Sequence, residues 1–336
     1  MTQKILWLKG CAGLGNRLYT LSACIEYAKK TNRKLYIDWT DGQFADKGEN
    51  AFFNVFDIKD LDVIYHISEI NMNSSTTYFP KEWGENVDKS VYDLYKMIVN
   101  ENRWLKKFPL HLIPRGSMRK INGYWRSINY WEKQKDKFSL IPFFMRKENI
   151  LLADDYPYTY EEDILFCSDF CPTLRGKELI KHLVVKDSIT SVIAQFIESN
   201  NLKGKLIGLH IRNTDKKPKE DTNKLISYLK QDKYNNKKIL LCTDNPETEG
   251  YFKESLPNLI TYDKEGYRDS VMAPHRISYS RDIDKGQMLR DSMIDMFLLS
   301  ECDELLYQGN SSFSKISLAL RKDQNKPAED WFKIVS

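Results

Sequence analysis

The sequence predicts an α/β protein built as two domains. Three observations carry that prediction. Short apolar runs alternate with segments of helical period, a glycine-rich turn separates the first run from the first helical segment, and 336 residues exceed one ordinary domain.

The elements follow in order. Lys4 to Leu8 is short and apolar and reads as a strand; Gly10, Gly13 and Gly15 form the turn; Leu18, Leu21, Ile25 and Ala28 mark an amphipathic helix. Leu35 to Trp39 is the next strand and closes a βαβ unit. From Asp41 to about Ser74 the sequence is loop-rich, and from there to about Tyr160 short helical and aromatic stretches show no clear period. A long periodic helix is expected from Val184 to Ser199, followed by four strands, Leu206–Ile211, Ile239–Cys242, Leu259–Tyr262 and Glu304–Tyr307, with helical segments between them. One of those helices is expected over Gly286 to Ser300. The junction is placed near residue 185, giving domains 1–185 and 186–336. Polar motifs at strand ends make an interdomain cleft the default ligand site.

Composition narrows the function. Fifty-one Lys and Arg against 47 Asp and Glu leave a formal charge of +4, with no long basic stripe, so nucleic acid is not expected as a partner. No run of about 18 apolar residues is present, which predicts no transmembrane segment and a cytoplasmic protein. Six scattered cysteines argue against a disulfide framework. Cys167 and Cys171 lack the second pair that a zinc site needs, so free buried thiols are expected.

Two stretches carry chemistry. Leu209 to Lys216, LHIRNTDK, puts His210, Arg212 and Lys216 directly after a buried apolar run, and in alternating folds the carboxyl ends of strands are where ligands bind. A guanidinium there suits a phosphate oxygen; a solvated strand exit is the plainer alternative. The second stretch, Gly13-Leu14-Gly15-Asn16-Arg17-Leu18, lacks the third glycine of a dinucleotide fingerprint. It reads either as a tight turn of residues tolerant of positive φ, or as a turn whose amides and Arg17 approach an anionic ligand at a helix N-terminus.

With these, Gly123-Tyr124-Trp125-Arg126-Ser127, Thr243-Asp244-Asn245 and Gly309-Asn310-Ser311-Ser312-Phe313-Ser314, the chain resembles the superfamily of α1,2-, α1,6- and protein-O-fucosyltransferases. Gly13 to Leu18 matches that family's G-x-G-N-[RQ]-[LM]. His210 to Asp215 matches H-x-R-R-x-D, except that Asn213 replaces the second arginine, and Lys216 is nearer to the α1,6 and nodulation branch. Thr243-Asp244-Asn245 matches the S/T-D-D pattern in part, with an amide in its last place.

The resemblance implies a GT-B fold of two Rossmann-like domains facing a cleft, the C-terminal one holding the nucleotide sugar and the N-terminal one the acceptor. It implies an inverting fucosyltransferase that uses GDP-fucose as donor substrate, a glycan as acceptor, and neither cofactor nor metal. A transferase for another nucleotide sugar and a non-catalytic GDP- or glycan-binding protein are the alternatives. Gly13, Gly15, Asn16, Arg17, His210, Asn213, Asp215, Asp244, Ser311, Ser312 and Ser314 are the donor-binding candidates, and Asp295 is the expected guanine reader.

Chemistry asks for the same residue types. Negative charge gathers on the β-phosphate as the glycosidic bond breaks, and with no metal Arg212 is the natural ligand, with Lys216 or Arg17 making up for Asn213. Asp282-Ile283-Asp284, the one local D-x-D, reads as solvated. Asp295 borders the apolar Leu298 and Leu299, so its carboxylate needs a partner: guanine, or a salt bridge to Arg290 or Arg281. Glu220 resembles the placing of a catalytic base in the α1,6 branch; it also reads as part of a helix start, and Asp38 and Asp244 are alternative carboxylates. Trp83, Trp104, Tyr124, Trp125, Tyr156 and Tyr158 are candidates to stack on an acceptor sugar, against the alternative of core packing.

Overall fold

The computed structural model describes residues 3–79, 81–91, 93, 160–168, 176–214, 218, 222–268, 272–274 and 282–336. Two compact units emerge, one made of residues 1–53 and 58–182, the other of residues 54–57 and 183–336. The chain therefore passes between them at three places rather than at one junction.

In the first unit, β1 (Ile5–Lys9), β2 (Lys34–Asp38), β4 (Val63–Ile64), β5 (Tyr78–Phe79) and β6 (Ile164–Cys167) form a parallel sheet in the order β4-β2-β1-β6-β5. Every residue of β1 is buried, as a strand with helices on both faces of its sheet requires. Helix α1 (Leu14–Thr31) links β1 to β2 and ends at Asn32, whose left-handed backbone (φ 51°) returns its N–H to the Ala28 carbonyl. It is buried along most of its length rather than amphipathic. The turn before it also departs from expectation. Its positive φ falls on Ala12 (62°), whereas Gly13 sits at −72°. The close approach is at Gly10, where a Cβ would collide with the Arg17 guanidinium and the Trp39 ring.

In the second unit, β8 (Leu206–Ile211), β9 (Lys238–Thr243), β10 (Leu259–Ile260), β11 (Glu304–Tyr307) and β12 (Ala328–Asp330) form a second parallel sheet, ordered β10-β9-β8-β11-β12. The strand expected over Leu259–Tyr262 is two residues shorter. The helix expected from Val184 begins at Asp187, because Leu183–Val185 is extended as β7 and pairs with β3 (Phe56–Ile58). That pairing, with the Lys186 Nζ to Asp57 contact at 2.5 Å, explains why residues 54–57 belong to this unit.

From β8 the strand order runs outward to β9 on one side and to β11 on the other. Such a switch point opens a crevice at the carboxyl ends of the two central strands. In this unit those ends are Ile211 and Tyr307.

Candidate active site

Arg212 is the first residue past β8, and its side chain is 11% exposed. Its backbone N–H donates to Gln308 Oε1 at 2.8 Å, and its carbonyl accepts from Gln308 Nε2 at 3.3 Å. On the other side Asp244, just past β9, accepts from the Asn213 N–H at 2.8 Å and from Thr214 Oγ1 at 2.5 Å, with Arg212 Nε at 3.8 Å. Asp244 thus shapes the turn that carries Arg212. The short partial ladder continues through Asn213, whose Nδ2 donates to Thr248 Oγ1 at 2.8 Å. Asn245, the amide in the third place of the S/T-D-D pattern, caps α5 (Pro246–Ser255) by accepting from the Thr248 N–H at 2.8 Å, with Pro246 in the first turn.

His210 is buried. Its ring stacks on Phe313 (5.2 Å between centroids, 21° between planes), and its carbonyl accepts from Trp331 Nε1 at 3.1 Å.

Helix α7 (Ser312–Ala319) starts beside this strand end. Ser311 stands in its N-cap position without a side-chain capping bond, and its fully buried hydroxyl has no hydrogen-bond partner. Ser314 Oγ donates to the Gln308 carbonyl at 3.1 Å and is engaged in the fold, while Ser312 is half-buried. A helix N-terminus with an unsatisfied hydroxyl is a place where an anion is stabilised.

Asp295 lies on α6 (Lys285–Glu301), and its partner is Lys264, 2.6 Å away, not Arg290. Lys264 also donates to the Thr243 carbonyl at 2.8 Å, so it ties the end of β9 to α6. Burial pushes the Asp295 carboxyl above its ordinary range, with Lys264 opposing the shift. The second oxygen, Oδ1, is buried without a hydrogen-bond partner, an arrangement that calls for a donor. Asp284 caps α6 by accepting from the Gln287 N–H at 2.8 Å, and Asp282 is exposed. Among the described residues no group of three or more His, Cys, Asp and Glu side chains is placed to hold a metal ion.

The glycine turn of the first unit is put to another use. Arg17 is fully buried. Its guanidinium donates to Asp41 Oδ2 at 2.5 Å, Gln43 Oε1 at 2.8 Å and the Ala12 carbonyl at 3.0 Å, and it lies 5.2 Å from the centre of the Trp39 ring. It braces the turn instead of reaching outward. Gly13 precedes α1, Gly15 and Asn16 lie in its buried first turn, and the Asn16 N–H bonds the Gly13 carbonyl at 2.9 Å. Asp38 is likewise committed: Lys9 Nζ and Trp7 Nε1 both reach its Oδ2 at 2.8 Å, and Thr40 donates to Oδ1. Burial works against that charge, but Lys9, Thr40 and Trp7 outweigh it and hold the carboxyl below the usual range.

Trp83 is core, its ring stacked on Phe166 with the centroids 5.1 Å apart. Cys11, Cys24, Cys167, Cys242 and Cys302 are buried, and Ser168 Oγ reaches Cys11 Sγ at 3.1 Å. Asp215, Lys216, Glu220, Cys171, Arg281, the Gly123–Ser127 segment, Trp104, Tyr156 and Tyr158 lie outside the described residues. Two site residues escaped sequence reasoning, Gln308 and Lys264. Gln308 is uncharged, and Lys264 stands between Asp263 and Glu265 in what reads as a solvated run; the only signal was position, Gln308 one residue and Lys264 two residues past a predicted strand.

Residues 4–110 match the family model of Nodulation protein Z (NodZ). Nodulation protein Z of Azorhizobium caulinodans is 23% identical over 320 residues, covering 90% of this chain and 85% of that protein. The crystal structure of fucosyltransferase NodZ from Bradyrhizobium is similar with a TM-score of 0.58, at 16% identity over 97% of both chains. NodZ α-1,6-fucosyltransferase soaked with GDP-fucose gives 0.57 at 15% identity, over 95% of this chain and 93% of that one. POFUT1 in its apo form gives 0.51 at 13% identity, over 98% and 97%. At these identities the shared property is the fold, the GT-B pair of Rossmann-like units. Family model, relative and fold are thus all similar to fucosyltransferases, the superfamily that the motifs of this chain resemble.

Proposed function

We propose that this protein transfers fucose from GDP-fucose to a hydroxyl of a glycan acceptor, with inversion at the anomeric carbon and without a metal ion. The observation that carries the proposal is Arg212 at the switch point of the second unit, its main chain held by Gln308 and the turn that follows it held by Asp244 through the Asn213 N–H and the Thr214 hydroxyl. In the reaction the acceptor oxygen forms its bond to the anomeric carbon as the bond to the β-phosphate oxygen breaks. The electron pair leaves with GDP. Arg212 neutralises that oxygen, and the N-terminus of α7 with the Ser311 and Ser312 groups adds partial positive charge and donors. Ser314 serves by fixing the loop. The second unit takes the donor and the first the acceptor.

Glu220 is the proposed base for the acceptor hydroxyl, and Lys216 and Asp215 are proposed to face the donor on the same segment. What supports Glu220 is that the two alternatives are engaged elsewhere, Asp38 with Lys9 and Asp244 with the Arg212 turn. Asp295 is the proposed guanine reader through the oxygen that Lys264 leaves unpartnered. The buried thiols of Cys24, Cys242 and Cys302 suit a reducing, cytoplasmic setting. No helix among the described residues is long and apolar enough to cross a membrane.

Thermal denaturation with nucleoside diphosphates tests this reading. A hundredfold excess over the dissociation constant stabilises by about 2.7 kcal/mol, so GDP is expected to raise the melting temperature while UDP and ADP do not. Equal shifts with all three would refute guanine recognition, and Asp295→Asn is expected to erase the preference. Asn213, which spends its amide on Thr248, favours a second reading, a GDP-binding protein without turnover. Hydrolysis of GDP-fucose in the absence of acceptor excludes it.

A further inference from the structure

We infer that Gln308 is a positioning residue for donor cleavage: its side-chain amide fixes the main chain of Arg212 and joins it to the serine helix. Gln308 follows β11 and is fully buried. The pairing of β11 with β8 ends at Leu306 opposite Leu209. Beyond it the chain turns off toward Asp330. The Gly309 N–H donates to Asp330 Oδ1 at 2.9 Å, and a Cβ at Gly309 would collide with that carboxylate.

Where the backbone leaves the ladder, the Gln308 side chain replaces it. Its Oε1 accepts from the Arg212 N–H at 2.8 Å and its Nε2 donates to the Arg212 carbonyl at 3.3 Å. A primary amide carries the same donor and acceptor as a peptide group, so the sheet gains one more rung at the residue that needs fixing. Asn310 Oδ1 accepts from the same Nε2 at 2.8 Å and sets which way the amide faces. The Gln308 carbonyl meanwhile accepts from the Ser311 N–H at 2.9 Å and from Ser314 Oγ at 3.1 Å. One residue therefore holds both halves of the proposed diphosphate site, and a displacement there is passed to the guanidinium.

The inference rests on the GDP reading above, and a double-mutant cycle separates the two. GDP is titrated calorimetrically into the wild type, Arg212→Ala, Gln308→Ala and the double variant, with fold checked by circular dichroism. Gln308→Ala is expected to weaken GDP about tenfold, the cost of a lost buried bond pair. In the Arg212→Ala background it is expected to cost almost nothing, because it acts through that side chain. In turnover assays kcat falls and donor KM rises while acceptor KM stays put.

Equal weakening in both backgrounds, or unchanged GDP affinity in the single variant, overturns the inference and leaves the GDP reading standing. A wild type that binds no GDP sinks both. If Gln308→Ala does not fold, Gln308→Glu keeps the shape and the acceptor but loses the donor to the Arg212 carbonyl. GDP affinity and turnover at wild-type level in that variant overturn the inference; a loss confined to the background that retains Arg212 supports it.

Discussion

Each unit carries an arginine near the end of its central strand, and the two are held in different ways. Arg17 meets a carboxylate at 2.5 Å and an amide at 2.8 Å, with none of its side chain exposed. Arg212 has the Asp244 carboxylate 3.8 Å from its Nε, and its main chain is bonded at both N–H and carbonyl by the Gln308 amide. The first arginine has its side chain bonded into the turn it braces; the second has its backbone held at the carboxyl end of β8 by the Gln308 amide. A cation after a strand is thus not a ligand-binding group by position alone.

That contrast breaks most easily at Arg212. Arg212→Ala is expected to remove at least roughly a thousandfold of transfer rate while leaving the melting temperature near the wild-type value. An initial-rate assay with GDP-fucose beside a thermal melt reads both, and an intact rate ends the distinction. Arg17→Met is expected to do the reverse. Leaving Asp41 buried without its partner costs about 3–5 kcal/mol of stability, measured by urea unfolding, whereas GDP affinity of the folded fraction is retained.

Asp38 sharpens the picture of the first unit as a place of neutralised charge. Its folded-state value is depressed, so the stability it contributes is complete above the unfolded value near about 4. That stability is lost as pH falls through the lower folded value. Asp38→Asn is therefore expected to flatten the acid limb of a pH series of urea midpoints; an unchanged slope would show that Lys9 does not set its charge. The smallest effect is expected at Asn213. Restoring an arginine there adds a cation on a half-exposed turn and removes the bond to Thr248, for a net gain in GDP affinity of roughly two- to fivefold by titration.

The sequence showed most of what is local. Apolar runs located β8 and β11 to the residue and β9 to within one position at each end, since a strand buried on both faces has no other way to be written. The motif at His210 to Thr214 was legible for the same reason, cations directly after such a run. What stayed hidden depends on partners far away in sequence. Asp295 announced its need for a cation, but Lys264 comes from the segment after β10 and has no periodicity to betray it. Gln308 is uncharged and meets Arg212 only because β8 and β11 are neighbours in the sheet. Between a tight turn and an Arg17 that approaches a ligand the sequence could not choose, because Asp41 and Gln43, which Arg17 bonds, lie in a loop whose course no pattern specified. Val184 and Val185 fit a helix face and a strand equally well, and β3 decided between them.

The tetrapeptide Asn54–Asp57 has a consequence for how the protein is made. It is synthesised early, yet Phe56 packs near Phe297 and Asp57 holds Lys186, both of which leave the ribosome much later. The nascent N-terminal half must keep that apolar ring waiting, and the late half cannot finish its own hydrophobic face without reaching back for it. A fragment that starts at Leu183 is therefore expected to be soluble only when a peptide spanning residues 54–57 is supplied in trans, and a circular permutant that severs the chain between residues 57 and 58 should refold more slowly than one opened elsewhere in the first unit.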